Sequence, residues 1–288
     1  MAEPSRMLAD VPRPRRRVRS ASRAHERLPQ DEFGLDAEFR DRALGIGRFL
    51  YEKYWRVDAR GMRNVPRRGP VILVSNHSGT IPFDAIMISC ALEDGGYPRP
   101  ARFLYDRFVD ALPWIPDLYR KAGGVVATRE NAERLLAADA VIGLFPEGVP
   151  GLAKLYSERY VLQPFSTGFV RLALRYGAPI VPVAVVGAEE IYPLMGRSAA
   201  LGKLLGAPYL PVTPFFPLLG PLGMIPLPTK WSIRFGKPIV LDGRTVQGGR
   251  GAAHRRADGA AVRRMAEDTR RRVRRMVRAL VRERETLF

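Results

Sequence analysis

Two runs of aliphatic residues restrict the folds open to this chain more than any other feature: Val71-Ile72-Leu73-Val74 and Ile180-Val181-Pro182-Val183-Ala184-Val185-Val186. Turn residues bound them, Pro66-Arg67-Arg68-Gly69-Pro70 ahead of the first and Pro179 ahead of the second. A β-branched run with no polar residue to face water suits a strand buried on both faces. Shorter runs of the same kind stand at Val125-Val126-Ala127 and Val141-Ile142-Gly143-Leu144-Phe145, with helix-like stretches at 85–92, 130–138 and 165–176 between them. Strands alternating with helices predict an α/β fold, a mostly parallel central sheet flanked by helices. An apolar stripe over 36–55 predicts a helix ahead of the first strand, and 231–235 and 239–241 read as late strands.

Composition narrows the class. With 46% hydrophobic and 26% charged residues, the chain is neither wholly disordered nor fibrous. Its one cysteine, Cys90, excludes an intramolecular disulfide. The Arg/Pro-rich start lacks the apolar core of a secretory signal, so none is expected. With only His25, His77 and His254 beside that cysteine, no metal site is expected either.

The net charge of +18 sits at the two ends. Residues 1–30 carry eight Arg and three acids, and residues 244–288 carry fourteen Arg and five acids. That pattern suits appendages seeking an anionic surface, lipid or nucleic acid. No basic stretch interleaved with aromatics and no finger spacing accompanies it, so no nucleic-acid partner is expected. The expected organisation is a disordered basic tail at 1–35, one domain over 36–245, and a basic amphipathic C-terminal helix within 246–288. That helix, read over 252–286, either docks on an anionic membrane or simply packs on the domain.

Residues 204–229 carry no formal charge over 26 positions, long enough for a membrane span. Seven prolines within them would break helical hydrogen bonding repeatedly, which excludes a spanning helix. Two readings stay open: a buried proline-rich loop, or an apolar wall that grips a lipid chain or dips into the bilayer interface.

Four short blocks carry candidate chemistry. Ser75-Asn76-His77-Ser78-Gly79 follows the first buried strand, and Pro82-Phe83-Asp84 leads into a helix. A histidine at the carboxyl end of such a strand stands where α/β folds place ligands, and an acid nearby can orient it as a base. Gly123-Gly124 to Arg129 ends a second strand on a guanidinium able to grip a phosphate. Phe145-Pro146-Glu147-Gly148 ends a third strand, with a carboxylate and a glycine that permits close approach. Ile180-Val181-Pro182-Val183 is the fourth block.

In this order the blocks resemble the glycerolipid acyltransferases of the 1-acylglycerol-3-phosphate acyltransferase type, over roughly residues 50–245. The resemblance implies the glycerol-3-phosphate acyltransferase-like fold, and transfer of a fatty acyl group from acyl-CoA or acyl carrier protein to a lysophospholipid hydroxyl. The favoured acceptor is 1-acylglycerol-3-phosphate, and the product phosphatidate. Another acceptor (monoacylglycerol, diacylglycerol or another lysolipid) and a catalytically degenerate lipid-binding protein are the alternatives. No cofactor is implied beyond the acyl co-substrate.

The resemblance casts His77 as the base and Asp84 as its orienting partner. Asn76, Ser78, Gly79, Arg129, Pro146, Glu147 and Gly148 become substrate contacts, and backbone amides near Gly79 or Gly148 are candidates to hold an oxyanion. Six residues separate His77 from Asp84 where the family usually has four. The third block continues Val149-Pro150 where Thr-Arg is common, and Lys154 or Arg159 is expected to replace the missing cation. The expected location is peripheral, at the cytoplasmic face of the cell membrane.

Overall fold

The aliphatic runs form the centre of a seven-stranded sheet. The computed structural model describes residues 31–78, 81, 83–204, 206–241 and 259–288. In chain order the elements are α1 (Ala37–Phe49), β1 (Asp58–Arg60), β2 (Val71–Ser75), α2 (Phe83–Asp94), β3 (Ala101–Tyr105), α3 (Ile115–Lys121), β4 (Val125–Val126) and α4 (Arg129–Ala137). There follow β5 (Val141–Leu144), α5 (Val149–Leu152), α6 (Gly168–Tyr176), β6 (Ile180–Val186), β7 (Gly196–Ser198), α7 (Ala199–Leu204), β8 (Leu210–Val212), β9 (Ser232–Phe235) and α8 (Gly259–Glu283). The strand order is β1-β9-β6-β2-β5-β3-β4, and every pairing is parallel except β6 with β9. β7 and β8 form a separate antiparallel pair.

Strand periodicity divides the core. Val71 and Leu73 of β2, with Val181, Val183 and Val185 of β6, face the cluster built by α1 and α2 and closed by Trp55 and Trp231. Ile72, Val74 and Ile180 point the other way, onto α4, α6 and the start of α8. Ala184 and Val186 meet Val273, Val277 and Leu280 farther along α8. Alternation of this kind requires apolar side chains at every position of a strand covered on both faces.

Three sequence expectations change. Residues 31–35, assigned to the tail, pack on the domain: Asp31 pairs with Arg102, and Phe33 lies beneath the guanidinium groups of Arg102 and Arg134. The first helix leaves α geometry at Leu50 for one π turn, in which Trp55 N–H donates to Leu50 O at 2.8 Å. Of 239–241, Ile239 alone pairs, through a bridge to Ile180. The remaining tail, residues 1–30, and the proposed helix start at 252–258 lie outside the described residues.

The apolar stripe of α8 is buried against the domain, so this helix has no free apolar face. Among the described residues no helix is long and apolar enough to cross a membrane.

Candidate active site

β2 ends at Ser75, and the next three residues build the site on its carboxyl end. Asn76 is fully buried, and its side-chain amide continues the ladder beyond the strand. Nδ2 donates to Val185 O and Oδ1 accepts from Val185 N–H, both at 2.9 Å. The sequence places Asn76 among the substrate contacts, whereas both ends of its amide are committed to β6. That commitment fixes the backbone from which His77 projects.

His77 Nδ1 lies 2.8 Å from Asp84 Oδ2. The same oxygen accepts Ser78 N–H at 3.2 Å, and Oδ1 accepts Ala85 N–H at 2.9 Å. Asp84 is fully buried in the first turn of α2, so three donors hold its carboxylate still. An ionised acid only accepts, so Nδ1 carries the proton and Nε2 presents its lone pair. Nε2 makes no hydrogen bond to a described residue. The six-residue separation therefore still brings acid and imidazole together. Phe145 stacks on the imidazole with ring centroids 4.1 Å apart and planes 13° from parallel, limiting ring rotation.

The third block supports His77 from behind. Glu147 Oε1 accepts the backbone N–H of His77 at 2.9 Å, and Oε2 accepts Gln163 N–H at 2.6 Å. Gly148, at φ +59° and ψ −152°, takes a conformation essentially confined to glycine and turns the chain into α5. Its N–H donates to Phe145 O at 3.0 Å, so that amide is not free to hold an oxyanion. Pro146 is buried, with its carbonyl accepting Ser166 N–H. Gly79, the other proposed amide donor, lies outside the described residues. Ser78 is buried, and its hydroxyl has no partner among the described residues.

The cations behave differently from their sequence assignments. Lys154 is buried, 2.8 Å from Glu189 Oε1 and 3.6 Å from Glu147 Oε2. It neutralises two acids rather than awaiting a phosphate. Burial pushes the Glu189 carboxyl above the usual carboxylate range, while Lys154 and Tyr160 N–H pull it back. Arg159 is partly exposed and stacks on Tyr156 at 4.4 Å. Arg129 begins α4 with its side chain 71% exposed and donates to Glu133 Oε1 at 2.8 Å. Its contacts are made on α4 and none reaches the His77 cluster.

Three residues outside the sequence assignments complete the arrangement: Phe145 over the ring, Glu189 against Lys154, and Gly151 in α5. A Cβ on Gly151 would stand 2.7 Å from Glu147 Cβ and 3.1 Å from His77 Cβ. Glu189 carried a readable signal, the first acid after the most buried strand, three residues past its end. A small cavity lies against Lys154 and Glu189, walled also by Gly151, Tyr192 and Leu194.

Comparison with known proteins gives three findings. A family model described as Acyltransferase matches residues 56–186. An uncharacterized protein of Mycobacterium tuberculosis (strain ATCC 25618 / H37Rv) is 46% identical over 213 residues, 73% of this chain and 59% of that protein. The chain thus spans less than two thirds of that relative's length. Phytyl ester synthase 2, chloroplastic, of Arabidopsis thaliana is 33% identical over 141 residues, 46% of this chain and 20% of that protein. Among solved structures, the 1-acyl-sn-glycerophosphate acyltransferase PlsC of Thermotoga maritima superposes with a TM-score of 0.50 at 20% identity. It covers 84% of this chain and 81% of its own, a likeness of fold.

Proposed function

We propose that this chain, whose residues 56–186 match a family model described as Acyltransferase, transfers a fatty acyl group from acyl-CoA or acyl carrier protein to a glycerolipid hydroxyl, that of a lysophospholipid or of a neutral acceptor. 1-Acylglycerol-3-phosphate is the first acceptor to test. The observation that carries the reading is the 2.8 Å contact of Asp84 with His77 Nδ1, which leaves Nε2 as a base. An alcohol attacks a thioester poorly until its proton is removed. His77 Nε2 takes that proton as the oxygen bonds to the thioester carbonyl carbon. Asp84 meets the imidazolium that results. When the tetrahedral intermediate collapses, the carbon–sulfur bond breaks and the imidazolium returns its proton to the leaving thiolate. General-base help of this kind contributes about 10²–10⁴-fold.

The degenerate-site alternative draws on the unusual His77–Asp84 spacing and on the absence of Thr-Arg after the third block, and the hydrogen bond answers the first of these. A second acceptor class is favoured by a specific observation. Lys154 is bound to Glu189 and Arg129 to Glu133, so neither is poised for a phosphate. Monoacylglycerol, diacylglycerol or another lysolipid fits those contacts, as does the relative named for phytyl ester synthesis. The basic chain ends support peripheral attachment at the cytoplasmic face of an anionic membrane.

The test is transfer of labelled acyl-CoA to lysophosphatidate, and to monoacylglycerol and diacylglycerol in parallel, by purified protein and by His77→Ala. A loss of about 10²–10⁴-fold in the variant is expected. Equal turnover by the two proteins would end the proposal.

A further inference from the structure

Past α7, the described part of the uncharged stretch, 206–229, holds the short strand β8 and one 3₁₀ turn at Gly220–Met224, and much of its apolar side is exposed. Its base is pinned to the domain: Tyr192 OH donates to Met224 O at 2.6 Å, Tyr54 OH to Pro226 O at 2.7 Å, and Trp55 Nε1 to Leu227 O at 3.0 Å. From that base it projects aliphatic side chains into solvent. Leu218 is 84% exposed, Leu222 68% and Ile225 59%, with Phe215 and Leu219 also exposed. Met195 extends the patch, since its N–H donates to Val212 O at 2.8 Å and its side chain is exposed. An apolar patch of this breadth on a folded surface marks a place where something apolar docks.

The backbone of the same segment is prepared for a medium without water. Thr213 N–H donates to Phe216 O, and its hydroxyl accepts the N–H groups of Phe215 and Phe216. The N–H groups of Leu219, Gly220, Leu222 and Ile225 donate to carbonyls three or four residues back. Prolines 214, 217 and 221 have no N–H to satisfy. Unpaired amides are what hydrocarbon penalises most, and here most are paired or absent.

Charge selects the partner. A protein surface would be met through aromatic and arginine anchors, whereas 212–225 contain no arginine and Phe215 is their one exposed aromatic. Elsewhere the molecule offers what an anionic head-group layer attracts: Arg264, Arg272, Arg275, Arg278 and Arg282 are exposed on α8. The buried stripe of α8 cannot itself insert.

We propose that the segment 212–225 inserts into the boundary of an anionic lipid bilayer, to which the chain's net charge of +18 draws it. The inference rests on the acyltransferase reading for the bilayer as source of the acceptor, and it can fail separately from that reading.

The experiment compares the full chain with Leu218→Ser/Leu222→Ser on phosphatidylcholine vesicles with and without phosphatidylglycerol, without substrates. Low salt is compared with about 1 M, where the screening length falls to about 3 Å. Both side chains are solvent-facing, and melting curves should coincide. The wild type is expected to stay partly bound to the anionic vesicles at high salt. The variant is expected to lose at least about tenfold in partitioning and to detach fully at high salt.

A fluorophore on Leu222→Cys should blue-shift on vesicles and be quenched by brominated acyl chains. Equal partitioning of wild type and variant, or no quenching, overturns the proposal. So does a wild-type dimer that dissociates in the variant without any vesicle binding, which would make the patch a contact between copies. Turnover of a dissolved short-chain substrate should be unchanged in the variant. Its absence in both proteins, with vesicle binding intact, counts against the acyltransferase reading and leaves the docking surface standing.

Discussion

Replacing Lys154 by Met distinguishes a phosphate-binding cation from a structural one. The ammonium stands 2.8 Å from Glu189 and 3.6 Å from Glu147, and the three side chains are 3%, 6% and 0% exposed respectively. Removing one partner of a buried ion pair while leaving the other charged costs about 3–5 kcal/mol. Set against a domain stability of about 5–15 kcal/mol, that loss would be plain in urea unfolding curves. Its pH dependence has a definite sign. The Glu189 carboxyl is raised above its unfolded value, so its ionisation opposes folding as pH climbs past the ordinary carboxylate range. Without Lys154 the rise grows, so the deficit of Lys154→Met should be smaller near pH 5 than near pH 7. Adding Glu189→Gln should restore part of the stability by removing one unpaired charge. A deficit below about 1 kcal/mol that is the same at both pH values would refute the buried-pair argument. Unchanged stability with a raised KM for phosphate-bearing acceptors alone would return Lys154 to the role that the family resemblance implies.

Further outcomes follow from the same contacts. Gly151→Ala places a methyl 2.7 Å from Glu147 Cβ and 3.1 Å from His77 Cβ, so it should cost about 1–3 kcal/mol and lower kcat. Thermal melts and turnover on one preparation check this. Asn76→Ala strips both partners from the Val185 peptide, with an expected loss of about 1–3 kcal/mol for each buried group left unpaired. Unfolding in urea measures it. Burial of Cys90 pushes its thiol up to about 12, so alkylation at neutral pH should proceed only through unfolding and slow as denaturant is withdrawn.

The sequence made the centre of the sheet readable and its margins obscure, for physical reasons. β2 and β6 are covered on both faces, so water tolerates no polar residue there and the runs stand out unbroken. β3 was missed because Arg102 interrupts its apolar run. That guanidinium is buried by pairing with Asp31 and donating to Gly123 O, partners far away in the chain. β1, β7 and β8 are three residues each and partly exposed, too short to show a period. At the site, His77, Asp84 and Glu147 were legible because each closes or follows a buried strand or opens a helix. What Lys154 and Asn76 touch was not legible, since their hydrogen-bond partners stand 35 and 109 positions away. The family resemblance offered Lys154 as a ligand for the acceptor, and long-range pairing commits it to Glu189.

The formal charges around His77 bear on the acceptor. Asp84, Glu147 and Glu189 are buried there with Lys154 as their one buried cation among the described residues. That excess of acid suits a base whose ring becomes positive as the reaction proceeds. It also sets a cost on bringing a phosphate dianion close, because like charges repel more strongly in a poorly screened site than in water. The arginines of α8 draw anionic lipid toward the molecule but do not enter this cluster. A neutral acceptor should therefore show the higher kcat/KM when both are presented as dissolved short-chain analogues. The preference should narrow as salt screens the repulsion. A phosphate-bearing analogue that outperforms its neutral counterpart at low salt, and loses that advantage as salt rises, would mean that an attracting cation reaches the bound head group and would sink the charge argument.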